Sequence, residues 1–270
     1  MGYNSTGSSR ILSALILIPV IYIIVKYLSP PFFYALIILV ACIAQLEFYR
    51  MFAEKGIKPA KLIGIILGIA SFFVFYFRGY GVNLDIIAIL AIFCIATERL
   101  FSRKDIKLAF IEIVITFFGI FYISWLLSYH ILIRGMDWGS ELLLFLYTVI
   151  WSGDTAAYYI GSRWGRHNLH STVSPRKTVE GSIAGVIGGI LAVLALRQWL
   201  FDILTPFDCI TAGLILGIFG QLGDLTESVF KRGAEVKDSG AIIPGHGGLL
   251  DRIDSLLFAG PALYYYWIWR

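Results

Sequence analysis

The sequence predicts an all-α, polytopic integral membrane protein that crosses the bilayer about nine times and keeps its N-terminus in the cytoplasm. Three observations carry that prediction. The 270 residues are 58% hydrophobic and only 15% charged, whereas soluble domains average roughly 45–50% apolar and about 25% charged residues. Mean hydropathy is +0.79, and the apolar residues gather in runs near the roughly 20 residues that a spanning helix needs. Of the 22 Lys and Arg residues, 17 fall in loops on one side of the resulting topology.

The elements follow in order. The first run, Ile11 to Leu28, is too long for the core of a signal peptide and ends in Ser29-Pro30-Pro31, so it is read as a retained span. Further runs place spans at 32–49, 62–77, 84–101 and 108–133 and complete an N-terminal membrane region, 1–135. Spans at 141–162, 183–204, 207–230 and 253–269 make up a second region, 136–270, which carries the polar motifs. Little chain remains for a separate soluble domain.

Alternation puts the loops after the second, fourth, sixth and eighth spans on the side of the N-terminus. They hold Arg50, Lys55, Lys58 and Lys61, then Arg99, Arg103, Lys104 and Lys107, then Arg163, Arg166, Arg176 and Lys177, and finally Lys231, Arg232, Lys237 and Arg252, with Arg10 ahead of them all. The opposite side keeps Lys26, Arg78, Arg134, Arg197 and Arg270. Cytoplasmic loops concentrate Lys and Arg, so the C-terminus is expected outside. Miscounting by one span would scramble this split.

The net charge of +4 suits anionic lipid headgroups but is too small and dispersed for a nucleic-acid partner. Cys42, Cys94 and Cys209 all lie in apolar runs, without a CxxC pair or zinc-ligand spacing. They read as packing residues.

Chemistry concentrates between Gly220 and Asp254, GQLGDLTESVFKRGAEVKDSGAIIPGHGGLLDRID. A charged side chain at mid-membrane costs about 2.5–3.5 kcal/mol, and residues that carry such a penalty usually face a polar cavity. Asp251 and Asp254 are spaced i, i+3 at the start of the last span, which puts them about one turn apart on one helix face. Asp224, with Glu227 one turn on, flanks the segment's other side. Converging carboxylates beside a phosphorylated ligand suit magnesium, a hard cation that often takes one or two carboxylates plus phosphate and water. A second cation on the same carboxylates is compatible with the pattern. Salt bridges among Asp251, Arg252 and Asp254 are the alternative reading.

Pro244-Gly245-His246-Gly247-Gly248 permits positive φ and close backbone approach. Its successive N–H groups and the helix that follows can cradle an anion, with His246 as a hydrogen-bond donor. Ser174-Pro175-Arg176-Lys177-Thr178-Val179-Glu180-Gly181 supplies hydroxyls and cations for phosphate. The same residues also read as a helix start, with Thr178 as N-cap and Glu180 in the first turn. Asp154, inside an apolar span, lines the same cavity or carries a packing hydrogen bond. Glu47, Glu98 and Glu112 lie near span ends beside Arg50 or Arg99 and are assigned no role.

The pattern Ser228-x-Phe230-Lys231-Arg232-x4-Lys237-Asp238-x-Gly240-x2-Ile243-Pro244-x-His246-Gly247-Gly248-Leu249-x-Asp251-Arg252-Ile253-Asp254 resembles the signature of the phosphatidate cytidylyltransferases, or CDP-diacylglycerol synthases, at every specified position. Gly223-Asp224-Leu225-Thr226-Glu227 and the Ser174–Gly181 segment add to the resemblance. Val179 stands where the family usually has an aromatic residue, and Arg176 where a second lysine is common. About the last 130 residues are covered well, and the first 130 only as a run of spans.

The resemblance implies transfer of CMP from CTP to phosphatidic acid, with release of pyrophosphate, in phospholipid biosynthesis at the inner (cytoplasmic) membrane. It implies dependence on Mg²⁺, a cavity open to the cytoplasm and laterally to membrane lipid, and frequently a homodimer. Carried over to this chain, Asp224, Asp251 and Asp254 hold metal, and Lys177, Lys237 and Arg252 bind phosphate. Ser174, Thr178, Glu180, Asp238, His246, Gly247 and Gly248 line the substrate site. Lys231 and Arg232 stand near the lipid phosphate, although positive-inside anchoring explains them equally well. A transporter using the carboxylates as an ion path would leave the surrounding Lys, Arg and glycine turn unexplained. A CDP-alcohol phosphotransferase would need a DGxxAR-type motif that the sequence lacks.

Overall fold

The computed structural model describes residues 19–102, 105–240 and 247–270. Helix α1 covers residues 19–27. The chain turns at Ser29, and Pro30 opens α2 (Pro30–Ala53), a first-turn position where the missing proline N–H is no loss. α3 (Lys61–Phe77) and α4 (Asp85–Phe101) follow. α5 (Ala109–Gly119) runs through a π-helical turn, Ile120–Trp125, into α6 (Leu126–Arg134). α7 (Gly139–Trp164), α8 (Val179–Leu200), α9 (Pro206–Gly233) and α10 (Leu250–Trp269) complete the bundle.

Among the described residues, five stretches, Pro30–Ala53, Lys61–Tyr80, Ile106–Arg134, Val179–Leu200 and Pro206–Gly233, are long and apolar enough to cross a bilayer. Helices satisfy their own backbone groups, which hydrocarbon requires, and the chain is a multi-pass, all-α membrane protein. α4, α7 and α10 coincide with three further predicted spans, 84–101, 141–162 and 253–269.

Two details depart from expectation. A short antiparallel hairpin, β1 (Asn168–His170) with β2 (Ser174–Thr178), joins α7 to α8. The eighth helix also begins at Val179 rather than near residue 183. Thr178 caps it, accepting from the Gly181 N–H at 3.1 Å, and the polar Glu180 in its first turn hides that start from hydropathy.

Small residues set the closest helix pair. Gly153, Ala157 and Gly161 on α7 face Gly181 and Gly185 on α8, and Gly189 lies against Val149. A methyl at Gly181 would lie 2.9 Å from the Ala157 carbonyl oxygen, and one at Gly185 3.1 Å from that of Gly153. Spacing of four on both helices lets the backbones touch, the usual basis of helix association in lipid. A hydrophobic core joins α2, α5–α6, α7, α9 and α10, with Phe33, Phe48, Phe145 and Leu257 fully buried. Polar contacts pin the π turn inside it. The Ser124 hydroxyl donates to Gln45 Oε1 at 2.9 Å, and Gln45 Nε2 donates to the Tyr49 hydroxyl at 2.7 Å and the Gly64 carbonyl at 2.9 Å. Tyr49 in turn donates to the Thr116 carbonyl at 2.8 Å.

Candidate active site

α9 and α10 cross where α9 has no side chain to keep them apart. A methyl on Gly223 would sit 2.5 Å from the Asp254 carbonyl oxygen. This approach brings Asp224 and Glu227 of α9 opposite Asp254 of α10, and α7 adds Asp154. The four carboxylates stand within electrostatic reach of one another, with Lys177 and Arg252 also in reach of Asp154. Lys177, at the end of β2, forms an ion pair with Asp224. Asp254 is buried, and its Oδ1 accepts from the Ser255 N–H at 2.6 Å.

A cavity of about 560 Å³ opens beside this pair between α7, α8, α9 and the hairpin. Its wall includes Asp154, Tyr158, Ser162, Arg176, Lys177, Thr178, Ser182, Gln221 and Asp224. That volume falls in the ordinary range for small-molecule sites, roughly 300–1,000 Å³. Gln221 donates to the Ser182 carbonyl at 2.9 Å, which fixes one wall. Of the two readings open for Asp154, a cavity wall and a packing hydrogen bond, its position corresponds to the first.

Asp251 goes elsewhere. Its Oδ1 accepts from Lys231 Nζ at 2.6 Å, while its Oδ2 accepts from the Gly248 N–H at 2.8 Å and the Ser239 N–H and hydroxyl at 3.0 and 2.9 Å. Lys231 also pairs with Glu227. Asp251 is therefore saturated as a latch that ties Lys231, Ser239 and Gly248 to the start of α10. The expected convergence of Asp224, Asp251 and Asp254 is not what these side chains adopt. Among the described residues, no three carboxylate, histidine or cysteine side chains surround a common point.

Glu47 of α2 closes the latch from the other side. Its carboxylate accepts from the Leu249 N–H at 3.0 Å and the Leu250 N–H at 2.8 Å. These amides open α10, which has no side-chain cap of its own. An anion there satisfies orphan donors and meets the positive end of the helix dipole. The sequence reading gave Glu47 no role. Its partners lie some 200 residues away, and neighbouring Arg50 offered an ordinary local explanation.

The remaining expected site residues divide. Glu180 accepts from the Arg166 and His167 N–H groups at 3.0 and 3.3 Å and contacts His167 Nδ1 at 2.6 Å, so it braces the turn before β1. Arg232 donates to the carbonyls of Val173 at 3.2 Å and Val236 at 3.0 Å, tying the hairpin tip to the end of α9. Ser174 pairs with His170 across the hairpin. Lys237 and Asp238 are exposed on the segment after α9. Gly247 adopts φ +78° and Gly248 packs against Ser239, while His246 lies outside the described residues. The fold thus brings Lys177, Asp224 and Asp254 together and commits Lys231, Asp251 and Gly248 to the latch.

The oxygen donors that do gather differ from the expected Asp224, Asp251 and Asp254 set, and their chemistry, though not a closed coordination shell, is that of a divalent-cation site. Four carboxylates, Asp154, Asp224, Glu227 and Asp254, share Lys177, Arg252 and a Lys231 that Asp251 also claims. Glu227 Oε1 is buried with no hydrogen-bond partner among the described residues, a cost that buried acceptors rarely carry. Hard oxygen ligands short of positive charge are what magnesium takes, with phosphate completing the shell.

A family model described as "Cytidylyltransferase family" matches residues 8–269. A Bacillus subtilis relative named phosphatidate cytidylyltransferase is 35% identical over 238 residues, covering 84% of this chain and 87% of the relative. A Synechocystis protein of the same name is 35% identical over 289 aligned residues, 96% of each chain. One from Staphylococcus saprophyticus is 36% identical over 228 residues, 83% of this chain and 85% of the relative.

Proposed function

The chain belongs to the cytidylyltransferase family, and we infer that it is a phosphatidate cytidylyltransferase, a membrane nucleotidyltransferase that makes CDP-diacylglycerol for phospholipid synthesis. The observation that carries this reading for the site is the cavity of about 560 Å³ with the Lys177–Asp224 pair on its wall and Asp254 beside it. A phosphate oxygen of phosphatidate attacks the α-phosphorus of CTP, the bond from that phosphorus to the β-phosphate bridging oxygen breaks, and pyrophosphate leaves. The nucleophile is already anionic near neutral pH, so the protein needs no strong base. Its tasks are to bring two polyanions together and to stabilise charge on the leaving group.

In this reading, Lys177 exchanges Asp224 for a CTP phosphate oxygen, Arg176 and Arg252 screen the remaining phosphate charge, and Asp224 and Asp254 would hold the metal with Asp154 and Glu227 alongside. Mg²⁺ bound there supplies Lewis-acid screening of the phosphate oxygens. The Thr178 cap and the Glu180 brace hold Lys177 at the cavity wall.

Purified protein in detergent is expected to release pyrophosphate and form CDP-diacylglycerol from labelled CTP only with phosphatidate and Mg²⁺ present. Lys177→Ala should raise KM for CTP by about 10- to 100-fold, since a charge-assisted contact contributes roughly 1.5–3 kcal/mol. No CTP turnover in folded wild-type protein would overturn the assignment. Wild-type kinetics in Lys177→Ala would return this lysine to a structural role.

The nine-span topology belongs to the same proposal, with the N-terminus and the cavity on the cytoplasmic side of the inner membrane. It is supported by the basic split of 17 to 5. A single cysteine placed beside Arg270 is expected to react with impermeant reagent only from outside in sealed vesicles. Labelling from the cytoplasmic side alone would sink it.

A further inference from the structure

We propose that Tyr122 is an active-site residue contributed by the N-terminal half of the chain, its phenol donating a hydrogen bond to the Asp254–Glu227 carboxylate wedge and so positioning those carboxylates for the cation. The inference rests on the cytidylyltransferase reading above.

The first observation is placement. Tyr122 lies in the π turn Ile120–Trp125 between α5 and α6. Such turns interrupt helices rarely and occur often at functional sites. Here the turn is held from behind by the Ser124–Gln45 hydrogen bond of 2.9 Å.

The second is packing. The Tyr122 ring sits edge-on to Phe230 at 5.1 Å and to Phe258 at 6.2 Å between centroids, and stacks on Phe118 at 5.5 Å. Phe230 is one turn beyond Glu227 on α9, and Phe258 one turn beyond Asp254 on α10. The ring is thereby wedged against both carboxylate-bearing helices next to their crossing. Asp254, Glu227 and Asp224 are the charged groups that the phenol feels.

The third is an unmet bond. Tyr122 is 3% exposed, and its hydroxyl has no hydrogen-bond partner among the described residues. Glu227 Oε1 is likewise buried and unpartnered. An orphan donor and an orphan acceptor in one dry wedge each carry a penalty that packing does not return. A phenylalanine would fill the same space without it. The hydroxyl therefore belongs to a state in which the carboxylates close up around a cation and substrate phosphate. A bond made only in that state favours the reacting complex over the free protein.

The test is Tyr122→Phe in the full-length, detergent-solubilised enzyme, with Tyr122→Leu as a control for the ring. Three quantities are read: apparent Tm without metal, the Mg²⁺ concentration at half of the Mg²⁺-induced rise in Tm, and kcat with KM for CTP. Tyr122→Phe is expected to keep or raise the metal-free Tm, shift the Mg²⁺ midpoint upward at least about threefold, and lower kcat at least about tenfold with KM within about twofold. Tyr122→Leu should lower Tm as well. A Tyr122→Phe protein with lowered Tm, or with Mg²⁺ midpoint and kcat within about twofold of wild type, overturns the proposal. Inactive wild-type protein would count against the enzymatic reading, while the Mg²⁺ midpoint would still decide Tyr122.

Discussion

Asp254→Asn is expected to lower CTP-dependent turnover at least about a hundredfold, as removal of a preorganised charge from a buried site commonly does, while leaving the fold intact. Asn keeps the size of the side chain and its hydrogen bond from the Ser255 N–H. It also relieves the mutual repulsion of Asp154, Asp224, Glu227 and Asp254, so metal-free stability should hold or rise. Asp251→Asn makes the contrast. Asp251 receives Lys231, Ser239 and the Gly248 N–H, and its loss leaves Lys231 to Glu227 alone. Breaking a buried pair on one side costs about 3–5 kcal/mol, so Asp251→Asn should lower apparent Tm sharply. Turnover in the fraction that remains folded should fall less than in Asp254→Asn. The two variants are compared by melting in detergent and by kcat across a Mg²⁺ titration. An Asp254→Asn enzyme that turns over normally would remove Asp254 from the chemistry, and a matching pair of phenotypes would show that the two carboxylates do one job.

That contrast also marks where the sequence stopped being informative. The spacing of Asp251 and Asp254 correctly implied one helix, but three residues on a helix of 3.6 per turn are rotated by about 60° from each other. On an open face that angle is small. At the crossing with α9 it sends one carboxylate to Lys231 and the latch and the other towards Asp224, with Glu227 between them and joined to Asp251 through their shared Lys231. Spans such as 62–77 and 84–101 were legible to within a residue or two of α3 and α4 because hydrocarbon demands a continuous apolar helix. The hairpin Asn168–Thr178 was not legible, being only a few residues long and held from outside by Arg232. Of the motif residues, Lys177 and Asp224 do meet. The partners from the N-terminal half, Glu47 and Tyr122, carry no local pattern. Each is defined only by what the fold packs against it, the α10 amides for one and Phe230 with Phe258 for the other.

Gly248→Ala is expected to abolish activity by unseating the latch, whereas Gly233→Ala, fifteen positions earlier, should be silent. A methyl at Gly233 meets nothing within 4 Å. At Gly248 it would strike the Ser239 hydroxyl and lie 2.7 Å from Glu47 Oε2 and 2.8 Å from the Gly240 backbone nitrogen. Backbone cannot yield as a flexible side chain does. The methyl must displace Ser239, and Ser239 carries two of the donors to Asp251. Glu47 would be pushed from the Leu249 and Leu250 amides, leaving a carboxylate and the first amides of α10 buried without their partners. Either orphaned group costs about 1–3 kcal/mol or more. Protease cleavage between residues 234 and 250 should therefore become faster in Gly248→Ala, and turnover should disappear even where the bundle still elutes as folded protein. Glu47→Gln should give a milder version, since its amide nitrogen faces a backbone donor while its oxygen keeps the other. Wild-type proteolysis and turnover in Gly248→Ala would mean that the segment is not held by this latch.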